Sequence, residues 1–212
     1  NTMAEEITTI GELPDYAGAI PLDTTLLETE DQSVPASLVG RKISAMQLMQ
    51  QVRQATFGSA NYQDTLTVGT PIVGTAGVPY ALTNNAGGAQ VYDDLPPTVT
   101  PFWIAGTSSF DFSSLNPVDI LRIRVDIEVT TTVANQEAEV YLELGQGGFT
   151  YQISLASLVR KVAGPVQISE YTMIYMGDSN TIDNSGQIKV VSASATSTVV
   201  RGWALDVDLK TF

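Results

Sequence analysis

The sequence predicts a mainly β chain, with an N-terminal extended arm and one short helix followed by a jelly-roll-like antiparallel β-sandwich. Three observations carry this reading. From about residue 102 the apolar residues recur with a period of two, most cleanly in Leu121, Ile123, Val125, Ile127 and Val129, and that period puts them all on one face of a strand. Roughly eight such runs, with turn signals every ~8–12 residues, form the pattern of a two-sheet sandwich, with an up-and-down barrel as the competing closure. Only one segment, near residue 48, carries helical spacing.

Residues 1–57 form the first predicted unit. Eight acidic residues, from Glu5 to Asp31, precede the first basic one, Arg41. Ile7, Ile10, Leu13, Ile20, Leu22, Leu26 and Leu27 are too sparse and irregular to build a core. Such an arm is either an extended tail or a segment that docks on another surface. Ser44-Ala-Met-Gln47 then reads as a capping box that opens a helix. Leu48, Met49 and Val52 continue it at 3.6-residue spacing, and Phe57-Gly58 ends it. The stripe suits core packing or self-association at a symmetry axis.

Residues 58–101 hold six glycines and five prolines. This density disfavours a long helix and predicts a neck or linker with short strands. Residues 102–212 are the predicted sandwich. Phe110-Asp-Phe112 opens it, and Leu121–Val129 follows. Ala138–Leu144 and Phe149–Leu155 flank Gly145-Gln-Gly-Gly148 as a hairpin. Val166–Ile168, Tyr171–Tyr175, Ile188–Val190 and Val199–Leu209 complete the set.

Composition removes several classes of function. With 10 Lys+Arg against 23 Asp+Glu the formal charge is −13, which opposes nucleic-acid binding through phosphate contacts. The absence of histidine and cysteine excludes Ser-His-Asp and thiolate catalysis, the usual zinc and copper ligands, and disulfides. No apolar run is long enough for a membrane helix, and the acidic N-terminus is unlike a secretory signal, so membrane insertion is not expected. No cofactor is expected.

Few clusters suggest chemistry. Asp178, Asn180 and Asp183 lie in an Asx-rich stretch that resembles a calcium loop, but Ile182 and Lys189 occupy two of its ligand positions. A turn is the plainer reading, with a weak metal site as the alternative. Glu137, Glu139 and Glu143 share one strand face, which suits a solvated face better than a glycosidase pair. Trp103, Trp203, Tyr141, Tyr171 and Tyr175 form an aromatic platform if exposed, although Trp203 shares its strand's apolar register with Arg201 and reads as core or interface.

Ile7-Thr-Thr-Ile-Gly-Glu-Leu-Pro14, Leu26-Leu-Glu-Thr29 and Gly40-Arg-Lys-Ile-Ser-Ala-Met-Gln-Leu48 occur in that order. Together they resemble the N-terminal segment of bacteriophage fibre and virion structural proteins. Phe110-Asp-Phe112, Ile123–Ile127, Ile174–Asp178 and Ile188–Val190 echo the small β-sandwich heads of such fibres.

The resemblance implies a non-enzymatic virion protein, a tail fibre or head fibre. Ile10, Leu13, Pro14, Leu26 and Leu27 would attach it to capsid, portal or tail proteins. Leu48, Met49 and Val52 would form a trimerisation helix in a homotrimer, and the knob would bind a host-surface polysaccharide or protein. A capsid decoration or cement protein is the alternative, and a polysaccharide depolymerase a more distant one.

Overall fold

The computed structural model describes residues 26–28, 42–44, 49, 56–88 and 93–210. The chain divides into two compact units, residues 1–53 and 54–212. In the first, β1 (Leu26–Glu28) pairs antiparallel with β2 (Lys42–Ser44), with Leu27 opposite Ile43. Two of the three segments that carry the family resemblance therefore pair with each other. Ile10, Leu13, Pro14, Leu48 and Val52 lie outside the described residues; Met49 is helical and 58% exposed. Thr56 is helical and the next residue opens a strand.

The second unit is a sandwich of two six-stranded sheets. Its strands are β3 (Phe57–Gln63), β4 (Ile72–Gly74), β5 (Tyr80–Ala81), β6 (Asp93–Asp94), β7 (Trp103–Ile104), β8 (Ser109–Phe110) and β9 (Ile120–Thr131). They continue with β10 (Gln136–Gln146), β11 (Tyr151–Arg160), β12 (Gly164–Tyr175), β13 (Ser185–Ser192) and β14 (Thr196–Asp208). A single turn of helix, α1 (Ser179–Asp183), precedes β13.

One sheet has the order β12-β9-β14-β3-β6, with β4 also on β14; the other has β11-β10-β13-β8-β7, with β5 also on β13. Every pairing is antiparallel. Apart from the β10–β11 hairpin, each long strand from β9 onward passes to the opposite sheet. This is the connectivity of a jelly roll, and it excludes the up-and-down barrel, in which sequential strands are neighbours.

The core follows from the period-two pattern. Leu121, Ile123, Val125, Ile127 and Val129 of β9 face Val140, Leu142, Leu144, Ile188 and Val190 of the other sheet in one apolar cluster. Trp203 lies at its centre with Trp103 at 5.5 Å and Phe110 at 6.3 Å between ring centroids, both in tilted or edge-on arrangements that aromatic quadrupoles favour.

Several expectations are corrected. Residues 58–101 contribute β3 to β6 to the two sheets and are not a neck: β3 sits between β14 and β6, with Ala60 and Tyr62 buried. Their glycines permit close approach rather than flexibility, since a Cβ on Gly58 would lie 2.3 Å from the Asp94 carbonyl oxygen.

Val166–Ile168 and Tyr171–Tyr175 belong to one twelve-residue strand, β12. Glu170 breaks its apolar phase, and an edge strand tolerates a charge there. Phe149 lies before β11 and is 79% exposed, not part of that strand's inward face.

Candidate functional site

The outer face of the β12-β9-β14-β3 sheet carries two depressions. Strand register lays its outward side chains in rows. Tyr171 stands opposite Arg124, Arg124 opposite Ala204, and Ala204 opposite Asn61. The next row runs Ser169, Asp126, Gly202 and Gln63. On the other side lie Met173, Arg122, Asp206 and Ser59.

Because β14 presents only glycine and alanine at the centre of these rows, the face is hollow there. Two adjoining depressions of about 360 and 280 Å³ share Asn61 and Arg124 in their walls. A β-bulge creates this arrangement. Val200 pairs with Ile127 and Gly202 with the adjacent Asp126, so Arg201 is the extra residue.

The inward phase therefore changes from Thr196, Thr198 and Val200 to Trp203, Leu205 and Val207. Bulges commonly re-aim side chains in this way. Arg201 is turned out to solvent although it falls in the phase of Trp203 by simple alternation. Gly202 is required at the floor, since a Cβ would lie 2.6 Å from the Tyr62 carbonyl oxygen.

The walls are polar and charge-balanced. Arg124 donates from Nε to Asp126 Oδ2 at 2.9 Å, and Ser169 Oγ donates to Asp126 Oδ1 at 2.5 Å. Arg201 Nη2 reaches Glu128 Oε2 at 3.5 Å. Tyr171 is 55% exposed. Burial of its ring edge and the nearby Asp206 carboxylate raise its phenol above the ordinary value, against a smaller opposing effect of Arg122. The hydroxyl thus stays protonated at neutral pH, able to donate and accept.

The sequence-predicted candidates have other partners. Asp178 caps α1, its Oδ1 accepting from Thr181 N at 2.8 Å and Thr181 Oγ1 at 2.9 Å. These hydrogen bonds hold its carboxyl below the usual range. Asn180 clamps the β10–β11 turn, accepting from Phe149 N and donating to Phe149 O. Among the described residues, no three His, Cys, Asp or Glu side chains converge in a way that would hold a metal ion.

Glu143 is not simply solvated; it pairs with Lys189 and accepts from Gln146 and Gln152. Trp103 and Trp203 are buried, and Trp103 Nε1 donates to Asn84 O at 2.8 Å. Tyr141 is also buried, whereas Tyr171, Met173 and Tyr175 are each more than half exposed. Of the expected aromatic platform, only the two β12 tyrosines are at the surface. Sequence reasoning missed Asn61, Arg124 and Gly202 as site residues. The signal for them was the arginine out of place in the apolar phase of β14, followed by glycine.

No family model and no curated protein matches the sequence. Solved structures resemble the chain in fold. The Eiger TNF of S. frugiperda does so at 7% identity and a TM-score of 0.38, over 74% of this chain and 95% of its own. A chain of the T13 infectious bursal disease virus particle does so at 10% identity and a TM-score of 0.42, over 90% and 39%. The Gx strain of that virus gives 10% and 0.40, over 82% and 38%. The chain thus spans well under half the length of these virus chains.

Proposed function

We propose that this chain is a bacteriophage virion structural protein, a tail fibre or head fibre. Its N-terminal segment holds it to capsid, portal or tail proteins, and its β-sandwich is displayed for host-surface binding. It works as a homotrimer, without enzymatic activity and without a cofactor.

The observation that carries the reading is the open, polar hollow on the outer face of a sandwich whose apolar core is built mainly from the inward faces of the two sheets. Such a face is available for contact without cost to the fold. The order of the motifs between Ile7 and Leu48 supports the attachment role. The exposed helical Met49 supports self-association of its stripe. Three knobs on one particle site would turn weak single contacts into tight attachment.

The experiment uses the full chain, labelled, in light scattering and in titration onto a panel of bacterial cells. A trimer mass and saturable binding are expected. A monomer that binds no cell saturably overturns the reading.

One feature favours the decoration reading. Among the described residues β11 and β12 are edges at the same end of the two sheets, and the inward residues Ile153, Leu155, Leu158 and Val166 between them are only partly buried. A lateral neighbour would cover them. A trimer without saturable cell binding favours that role.

A further inference from the structure

We propose that the hollow over Gly202 and Ala204 is a binding site for an uncharged saccharide, with Tyr171, Arg124, Asp126 and Asn61 as its contacts. The inference rests on the reading of the sandwich as a host-surface adhesin and adds to it the ligand class and the place.

The chain carries a formal charge of −13, yet both arginines lining the hollow have a carboxylate partner, Arg124 with Asp126 and Arg201 with Glu128. A polyanion would meet Asp126, Glu128 and Asp206, and a polycation would meet the arginines. A polyhydroxylated neutral ligand matches this wall, because each hydroxyl both donates and accepts.

The donors and acceptors are present and open. Arg124 uses Nε on Asp126, leaving its Nη groups without a hydrogen-bond partner among the described residues, and the Asn61 amide is likewise unpartnered there. Tyr171 adds a half-exposed ring beside Arg124. An aromatic ring with a polar tip suits a sugar, which has an apolar ring face and a polar rim.

Gly202 and Ala204 let a ligand approach the backbone of β14. The two adjoining depressions, about 360 Å³ beside Asp126 and Gly202 and about 280 Å³ beside Tyr171 and Ala204, together lie within the ~300–1,000 Å³ typical of ligand sites.

The test uses the full chain and saturation-transfer NMR with neutral oligosaccharides of glucose, mannose, galactose and N-acetylglucosamine, and with oligosialic acid as the anionic comparator. Saturable binding of at least one neutral oligosaccharide is expected. Tyr171→Ala and Ala204→Trp should each weaken it by about tenfold or more, as loss of a central contact does. Ser157→Ala, on β11 of the other sheet, should leave it unchanged, and near-ultraviolet circular dichroism checks that each variant is folded.

If no neutral oligosaccharide binds, or if oligosialic acid alone binds, the proposal falls. It also falls if Ala204→Trp is folded and binds as the parent does. Cell binding separates the two readings: saturable attachment that survives Ala204→Trp keeps the adhesin and removes this site. A change of oligomeric state in Ala204→Trp assigns the face to a second copy instead.

Discussion

Thr67 is bonded to the main chain of Val200: its Oγ1 accepts the Val200 N–H at 2.8 Å while lying 2.7 Å from Asp64 Oδ2. The single hydroxyl proton goes to the carboxylate, the stronger acceptor. Asp64 also accepts from the Leu66, Thr67 and Asn85 amides. β3 stops pairing with β14 at Gly202, and β4 resumes at Thr198. The loop after β3 therefore supplies the bonds that a strand would have made across the bulge, the Thr67 hydroxyl accepting from Val200 N and the Asp64 main-chain N–H donating to Arg201 O at 3.1 Å.

Replacement of Thr67 by valine keeps its volume and removes the hydroxyl. The Val200 N–H is left buried and unpaired, so urea unfolding should show a loss of about 1–3 kcal/mol. Thr67→Ser, which retains the bond, should lose far less. Because this bonding holds the bulge that puts Gly202 on the outer face, Thr67→Val should also alter the amide chemical shifts of Arg201 and Gly202. Unchanged stability would mean that water replaces the hydroxyl.

Glu143 links stability to pH. Burial alone would raise its carboxyl, but hydrogen bonds from Lys189, Gln152 and Gln146 and the Lys189 charge outweigh that and hold it below the usual range. A depressed carboxyl stabilises the fold above the unfolded group's titration range, and that stability is lost as pH falls through the folded value. Glu143→Gln should therefore be less stable than the parent at neutral pH and lose less on acidification. An acid limb as steep as the parent's would show that Glu143 titrates alike in both states.

The long strands were legible because each buries one face and alternation has a single physical cause there, as in Leu121–Val129. The edges were less so. Glu170 stands in the inward phase of β12, and an edge position lets it reach water, so a continuous strand read as two. Arg201 marked β14 only as an arginine out of phase, and this does not by itself reveal a bulge, because the bonds that stabilise the bulge come from Asp64 and Thr67, more than 130 residues away along the chain. Glycines set for close contact, such as Gly58, have the same sequence signature as a linker. The candidate site depends on that bulge and on cross-strand rows, so Tyr171 was visible as a candidate while Asn61, Arg124 and Gly202, which register alone brings beside it, were not.

Asn180 makes a two-bond clamp on Phe149, at 3.0 Å through Oδ1 and 2.8 Å through Nδ2. Asn180→Asp removes the donor and sets a carboxylate against a carbonyl. The turn from Gly145 to Phe149 should then open, with faster hydrogen exchange at Phe149 N and a stability loss of about 0.5–1.5 kcal/mol, as for a partly exposed bond. Should calcium restore the parent's exchange rate, the stretch would be a cation loop and not a structural clamp.

Val118 has a φ of 78°, a region that β-branched residues rarely occupy. Asn116, Pro117, Val118 and Asp119 form a turn closed by Asp119 N donating to Asn116 O at 3.2 Å. Proline second and a positive φ third are the requirements of a type II turn, which normally takes glycine or asparagine at that third place. The turn is held from outside, Val118 N donating to Met176 O and Lys210 N to the Asp119 carboxylate, and from within, Asn116 N donating to that same carboxylate. These contacts over-determine a conformation that costs valine about 1–3 kcal/mol. Val118→Gly should relieve most of that cost, offset in part by about 0.5–1 kcal/mol of backbone entropy. A net gain on the order of 1 kcal/mol is therefore expected in denaturant unfolding. Destabilisation instead would show that the half-buried valine side chain contributes more to packing than its backbone costs in strain.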